Sequence, residues 1–119
     1  MTTRAVLVLM SALIVVESAG NPKAVGARGE AGCLQITQGC IEDVNRINGH
    51  VIFSREDCFL RSRSIAICQL YINHYATRER LGHEPTDEDR ARIWNGGPNG
   101  WKSPATLPYW RKVERELGR

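Results

Sequence analysis

The stretch Ala5 to Val16, AVLVLMSALIVV, constrains this 119-residue chain more than any other part of it. It carries no charge, and wound as a helix it is apolar on every side. Leaving one such large side chain in water instead of burying it forgoes about 1.5–3 kcal/mol. The segment therefore has to be buried, inserted into lipid or removed. Twelve helical residues reach about 18 Å, well short of the roughly 30 Å of a bilayer core, so no stable membrane span is expected. Arg4 before it and Ser18-Ala19-Gly20 after it give it the look of a secretory signal. The competing reading is a core helix that ends near Glu17. We adopt the core helix, with Met1, or Thr2 after methionine removal, as the expected mature N-terminus.

A chain of 119 residues has room for one domain, taken as 1–119. A domain of that size hides roughly 65% of the surface its unfolded chain exposes, so it can build a core without metal or disulfide staples. With 42% hydrophobic and 24% charged residues it has the composition of a soluble globule. Its net charge of +3 is spread among acids without a basic stripe, which argues against a nucleic-acid partner. A weak attraction to an anionic polymer fits that balance. Cys33, Cys40, Cys58 and Cys68 include no CxxC pair, so no metal site with His50, His74 or His83 is expected, and no cofactor is implied. Four cysteines allow three two-disulfide pairings; free, mostly buried thiols are the favoured reading.

Residues 18–32 read as loop, and Cys33 to Thr37 as a short apolar segment. A modest helix is predicted over 39–48, with Ile41, Val44 and Ile47 on one side. Asn48-Gly49 then marks a loop or small hairpin up to Phe53. Ser54 to Asp57 resembles a capping box opening a long helix to Leu81, with Ile65, Cys68, Ile72 and Tyr75 inward and Gly82 as its stop. Thr86 to Asp89 is a second capping box, for a helix to about Trp94. Asn95 to Gly100, NGGPNG, reads as a tight turn whose glycines let backbone approach a ligand. Thr106 is expected to cap a last helix, with Pro108 in its first turn and Tyr109, Val113 and Leu117 inward. The fold class is mainly α, short helices around one cleft.

Three motifs fall in order along the chain: Glu17-Ser18-Ala19-Gly20-Asn21-Pro22-Lys23-Ala24, then Gly32-Cys33-Leu34-Gln35-Ile36, then Trp94-Asn95-Gly96-Gly97-Pro98. Together they resemble the soluble-type lytic transglycosylases, relatives of goose-type lysozyme, with patterns E-S-x-x-N-P-x-A, G-x-M-Q-I and A-Y-N-A-G. Tyr109 to Val113 is similar to that family's final Y-x-x-x-V, so the resemblance covers nearly the whole chain. The departures are Gly26 for a usual Ser, Leu34 for Met, Trp94 for Tyr and Gly96 for Ala, and they bear on subsite shape. The resemblance implies a lysozyme-like fold that cuts peptidoglycan glycan strands between N-acetylmuramic acid and N-acetylglucosamine, leaving 1,6-anhydro ends. It also implies Glu17 as catalytic acid and base, with Ser18, Gln35, Trp94 and Asn95 as substrate-binding residues. A monomer is expected, acting at the cell wall or periplasm. Signal cleavage after Gly20 or Ala27 would discard Glu17, and that decides for the core helix at the N-terminus.

The residues make their own case. A glycosidic oxygen is a poor leaving group and needs a proton as its bond breaks. A carboxyl set against apolar neighbours such as Leu13-Ile14-Val15-Val16 holds its proton more firmly than one in water. The amides of Gln35 and Asn95 both donate and accept, which suits sugar hydroxyl and N-acetyl groups. Of the tryptophans, Trp94 is the expected sugar-stacking one, while Trp101 and Trp110 read as core. Tyr71 is expected in the core with its hydroxyl toward the cleft. Two rival functions stand beside the first. A lysozyme-type hydrolase usually uses a second carboxylate; Glu30, Glu42 and Asp43 are the nearest acids in sequence, none in a motif that fixes it opposite Glu17, and Glu30 is the first to mutate. An inactive glycan-binding module would not need Glu17.

Overall fold

A computed structural model describes residues 3–119; the expected first residue, Met1 or Thr2, lies outside them. Six α-helices are described: α1 (Thr3–Ser18), α2 (Gln38–Asn48), α3 (Arg61–Tyr75), α4 (Arg78–Leu81), α5 (Asp87–Gly96) and α6 (Leu107–Glu116). Three short 3-10 turns, Arg55–Phe59, Gly100–Lys102 and Pro104–Thr106, stand between them. The chain forms two compact units, residues 17–71 and residues 72–119 together with those up to 16.

In the unit of residues 17–71, the loop before α2 is held by two isolated antiparallel bridges, Val25 with Ala31 and Ala31 with Ile36. Helix α2 begins where Thr37 accepts the Cys40 N–H at 3.1 Å and ends at Gly49, whose φ of 91° lets it close the last turn. Ile41 and Val44 are buried as expected, and Ile47 is half-buried. The segment after Gly49 is loop, not hairpin. Asn45 explains this: its Oδ1 accepts the N–H groups of Ile52 and Phe53, and its amide donates to the Phe53 carbonyl, so side-chain bonds take the place of a strand partner.

The long helix expected over 54–81 is in three pieces. The Ser54 box is real, since Asp57 accepts the Ser54 N–H at 2.9 Å, but it opens a 3-10 turn that Leu60 ends in extended backbone. At the far end Thr77 is extended as well and accepts the Arg80 N–H, which restarts the chain as α4. The α3 stripe is broader than the spacing predicts: Cys68 and Ile72 are buried, Ile65 and Tyr75 only half-buried, and Ser64, Ile67 and Tyr71 are buried too. Ser64 tolerates this because its hydroxyl donates to the Cys58 carbonyl at 2.7 Å. All four cysteines are free thiols. Burial pushes Cys40 up to about 12 and Cys58 up to about 11, and raises the fully enclosed Cys68 as well, so these sulfurs pack as small apolar groups.

In the other unit, α1 buries Leu9, Met10, Ala12, Leu13 and Ile14, while Leu7, Val8 and Val15 remain close to half exposed. The helix is thus core on one face only, and its apolar run is not enclosed on every side. Among the described residues no helix is long and apolar enough to cross a membrane. Helix α4 stops at Gly82, with φ of 80°. Helix α5 has the predicted cap, where Thr86 accepts the Asp89 N–H and Asp89 accepts the Thr86 N–H and bonds His83 at 2.8 Å. Burial alone would raise the Asp89 carboxyl; the Thr86 N–H, His83 and the Thr86 hydroxyl outweigh it and hold it below the usual carboxylate range.

Helix α5 runs on to Gly96, past the predicted end at Trp94, and makes the close pairing of this unit with α6 and the 3-10 turns. Thr106 does not cap α6 with its side chain. Its hydroxyl donates to the Gly100 carbonyl at 2.7 Å and accepts from the buried Arg92 at 2.8 Å, so it pins the turns to α5 instead. Val113 is buried in α6 as expected, joined by Trp110, while Tyr109 and Leu117 are half-buried.

Candidate active site

Glu17 occupies the last turn of α1 and is half-buried. It follows Leu13 and Ile14 by one helical turn; both are enclosed, whereas Val15 is 44% exposed, so the expected apolar wall is a face and not a sleeve. The residues after it explain why the helix stops there. Ala19 and Gly20 take positive φ values of 54° and 86°, the Asn21 N–H returns to the Ser18 carbonyl, and the Asn21 side chain accepts the Lys23 N–H at 2.9 Å. The E-S-x-x-N-P-x-A pattern is therefore a helix terminator that leaves its carboxylate in the final turn. Ser18 fastens this end to the second motif by donating to the Cys33 carbonyl at 2.8 Å. The Glu17 charge is felt by the buried Cys68 thiol, which it helps to raise.

The second motif turns on Gly32. Its φ is 80°, its N–H donates to the Ala24 carbonyl at 2.8 Å, and a Cβ there would stand 1.7 Å from the Cys58 carbonyl oxygen. Only a residue without a side chain fits. Gln35 follows with the rare positive φ of 52° and is half-buried. Its amide nitrogen donates to the carbonyls of Gly32 at 2.9 Å and Ala24 at 3.4 Å, so its N–H groups serve the loop and its Oε1 is the atom left for a ligand. That narrows the expected two-way role of Gln35 to accepting.

One residue beside Gln35 gains a place in the site from the structure. The bare α-carbon of Gly26 lies under two side chains, since a Cβ on it would meet Gln35 Oε1 at 2.6 Å and the Glu30 carboxylate at 2.9 Å. Glu30 Oε1 is anchored by the Arg28 N–H at 2.7 Å, which leaves Oε2 toward Gly26. The sequence shows a glycine at the place of the usual Ser, four residues before a carboxylate, but not that the two positions meet.

Trp94 and Asn95 belong to the other unit, in the last turn of α5, half-buried and exposed respectively. Two glycines of NGGPNG have a packing role within the fold. A Cβ on Gly96 would strike the Thr106 methyl at 2.4 Å and one on Gly100 the Arg92 carbonyl oxygen at 2.1 Å, so two of them permit close packing of the chain on itself. Arg80, which sequence reasoning passed over, ties this loop down through bonds to the Pro98 carbonyl at 3.0 Å and Asn99 Oδ1 at 3.2 Å while lying over the Tyr75 ring. Trp110 is core and Trp101 stands edge-on to His83. Tyr71 is buried, in keeping with a core residue. Glu17, Ser18, Gln35 and Glu30 thus share one unit, and Trp94 with Asn95 the other. Among the described residues no group of three or more His, Cys, Asp or Glu side chains could hold a metal ion.

Replacement of the two amides separates their roles. Asn95→Ala, at an exposed site, is expected to lower kcat/KM on glycan substrate about 10-fold with an unchanged melting temperature, the loss of one hydrogen bond to the sugar of about 1–3 kcal/mol. Gln35→Ala is expected to lose a similar factor and also stability, because it frees the carbonyls of Gly32 and Ala24. Steady-state kinetics and thermal melts check both, and unchanged kinetics in both would make these motifs structural turns only.

Comparison with known proteins follows the same lines. The family model of the transglycosylase SLT domain matches residues 3–83, which takes in the first two motifs and ends before Trp94. A chain from the crystal structure of Aeromonas hydrophila PliI in complex with Meretrix lusoria lysozyme shares the fold, with a TM-score of 0.75 and 24% identity over 91% of this chain and 87% of that one. The lysozyme of Magallana gigas is 55% identical over 29 residues, which are 24% of this chain and 21% of that protein. The chain therefore matches only about a fifth of that relative's length. The expected mainly helical, lysozyme-like fold is the one observed.

Proposed function

The chain belongs to the transglycosylase SLT domain family, and from the half-buried Glu17 at the end of α1 we propose that it cuts peptidoglycan glycan strands as a lytic transglycosylase. The observation that carries this reading is the way the first two motifs are built into one another. Glu17 sits in a helix end that the Ser18 hydroxyl clips to the loop bearing Gln35, and the Gln35 amide is itself tied to the Gly32 carbonyl, so an acid and an amide oxygen are held by side-chain bonds to backbone carbonyls. Glu17 protonates the leaving oxygen of the bond between N-acetylmuramic acid and N-acetylglucosamine. As a carboxylate it then takes the proton of the 6-hydroxyl that closes the anhydro ring. Trp94 and Asn95 serve the sugars as a stacking face and an amide. The site acts at the cell wall or periplasm, without cofactor or metal, as a monomer. Mass spectrometry of the fragments released from purified sacculi tests the reaction.

A second reading, lysozyme-type hydrolysis, is favoured by the Magallana gigas match and by the Glu30 oxygen that lies over Gly26, as Gln35 Oε1 does. In it Glu30 is the second carboxylate, and the released ends are reducing sugars.

A further inference from the structure

Helix α1 leaves an apolar face in the open. Leu7, Val8 and Val15 are 50%, 49% and 44% exposed. They are not scattered, because all three line one groove of about 740 Å³, together with Ala12 and with Leu117 just past α6. Both helices belong to the unit of residues 72–119 and those up to 16, so the groove lies within one compact body. A contiguous exposed patch of this kind seeks an apolar phase, since each large side chain left in water forgoes its burial. From Leu7 to Val15 the stripe covers about 12 Å of helix. That is far too short to cross a bilayer core of about 30 Å, but it suits a helix lying along the surface of one.

The charge of this unit says what the face meets. The unit carries ten Lys and Arg against seven Asp and Glu, whereas residues 17–71 balance six against six, so the whole excess of +3 sits beside the groove's own helices. Four of the seven acids are already answered: Glu84 by Arg78, Asp87 by Arg90 and Arg119, Glu88 by Arg92 and Asp89 by His83. Arg4 lines the groove, and Arg111, Lys112 and Arg115 stand exposed on α6. None of these four cations enters an ion pair among the described residues. Lys112 precedes the groove-lining Glu116 by one turn, on the same side of α6.

We infer that this face docks on the surface of an anionic lipid bilayer. Leu7, Val8 and Val15 enter the boundary between headgroups and acyl chains, and Arg4 and Lys112 meet the lipid phosphates. A second copy of the chain is a poorer occupant. Pairing this face with itself brings the same cations to one seam, and a stripe about 12 Å long and one helix wide is well short of the roughly 800 Å² per partner of a stable interface. The inference goes beyond the cleavage reading and does not depend on it, since none of these residues belongs to the proposed glycan site.

Co-sedimentation of the full chain with vesicles tests it. Vesicles of phosphatidylcholine and phosphatidylglycerol in equal parts should carry the protein down, and vesicles of phosphatidylcholine alone should not. Binding should fall away at about 1 M salt, where charges are screened within about 3 Å. Leu7→Ser is expected to weaken binding about 10-fold, and Lys112→Ala about 5-fold. Both positions are exposed, so thermal melts of the two variants should match the wild type. Val51→Ser is the control: Val51 is 84% exposed but belongs to the other unit, and its loss should leave binding unchanged. Wild-type protein that stays in solution with the mixed vesicles overturns the inference, as does equal binding to the neutral ones. So does an affinity that survives both Leu7→Ser and Lys112→Ala, or one that Val51→Ser lowers as much as they do. Analytical ultracentrifugation covers the rival occupant: a dimer that Leu7→Ser dissociates would assign the face to a second copy and overturn the membrane role.

Discussion

Glu17→Gln is expected to abolish cleavage of peptidoglycan while leaving the fold and glycan binding in place. Gln keeps the size and hydrogen-bonding reach of Glu but has no proton to deliver to the leaving oxygen. General acid–base help of this kind is worth about 10²–10⁴-fold. The side chain is half-buried in the last turn of α1, and the bond that anchors this helix end belongs to Ser18. Because Gln is nearly isosteric with Glu, the melting temperature should hardly move. Turbidity clearance of purified sacculi, with a thermal melt on the same preparation, reads both quantities. A variant that clears sacculi near the wild-type rate would make Glu17 an ordinary helix-end carboxylate.

Gly32→Ala is expected to have the largest effect on stability. The φ of 80° alone costs an L-residue about 1–2 kcal/mol. The larger part is steric: the new Cβ would stand 1.7 Å from the Cys58 carbonyl oxygen, so backbone must move on one side or the other. Either move strains the bond from the Gly32 N–H to Ala24 and the Gln35 contact with the Gly32 carbonyl. A loss of about 3 kcal/mol or more follows, or about 10 °C in melting temperature. Gly29→Ala is the control, since Gly29 has nearly the same φ of 81° but nothing within 4 Å of the added carbon. It should cost the conformational part alone. Equal losses in the two variants would mean that the Cys58 carbonyl yields easily.

The helical class and the capping signals were legible because they are local: Thr37, Thr86 and Ser54 each act on a backbone N–H three residues on, or are answered by a side chain there. Breaks in the long helix were not, because Leu60 is an ordinary helix-tolerant residue and Thr77, which caps α4 through the Arg80 N–H, has no Gly or Pro beside it to mark a stop. The same holds for NGGPNG. Gly96 and Gly100 advertise backbone freedom, but their use against Thr106 and Arg92 depends on a fold that spacing does not describe. For the candidate site the order of motifs found Glu17, Ser18 and Gln35. What it could not find was that the Gln35 amide is turned inward on Gly32 and Ala24, or that Gly26 makes room for Glu30. Both follow from the bridged loop of residues 24–36, where residues far apart in the motif share one turn.

The reaction itself is tested most directly by the ends it leaves. A single acid at Glu17, with the substrate's acetamido group as internal nucleophile and its 6-hydroxyl closing the ring, produces muramic-acid ends that carry a 1,6-anhydro bond and weigh one water less than hydrolysed ends. Mass spectrometry of muropeptides released from purified sacculi should find these ends with the wild type and none with Glu17→Gln. Release of reducing ends alone would contradict the transglycosylase account and favour a hydrolase in which Glu30 serves as the second carboxylate.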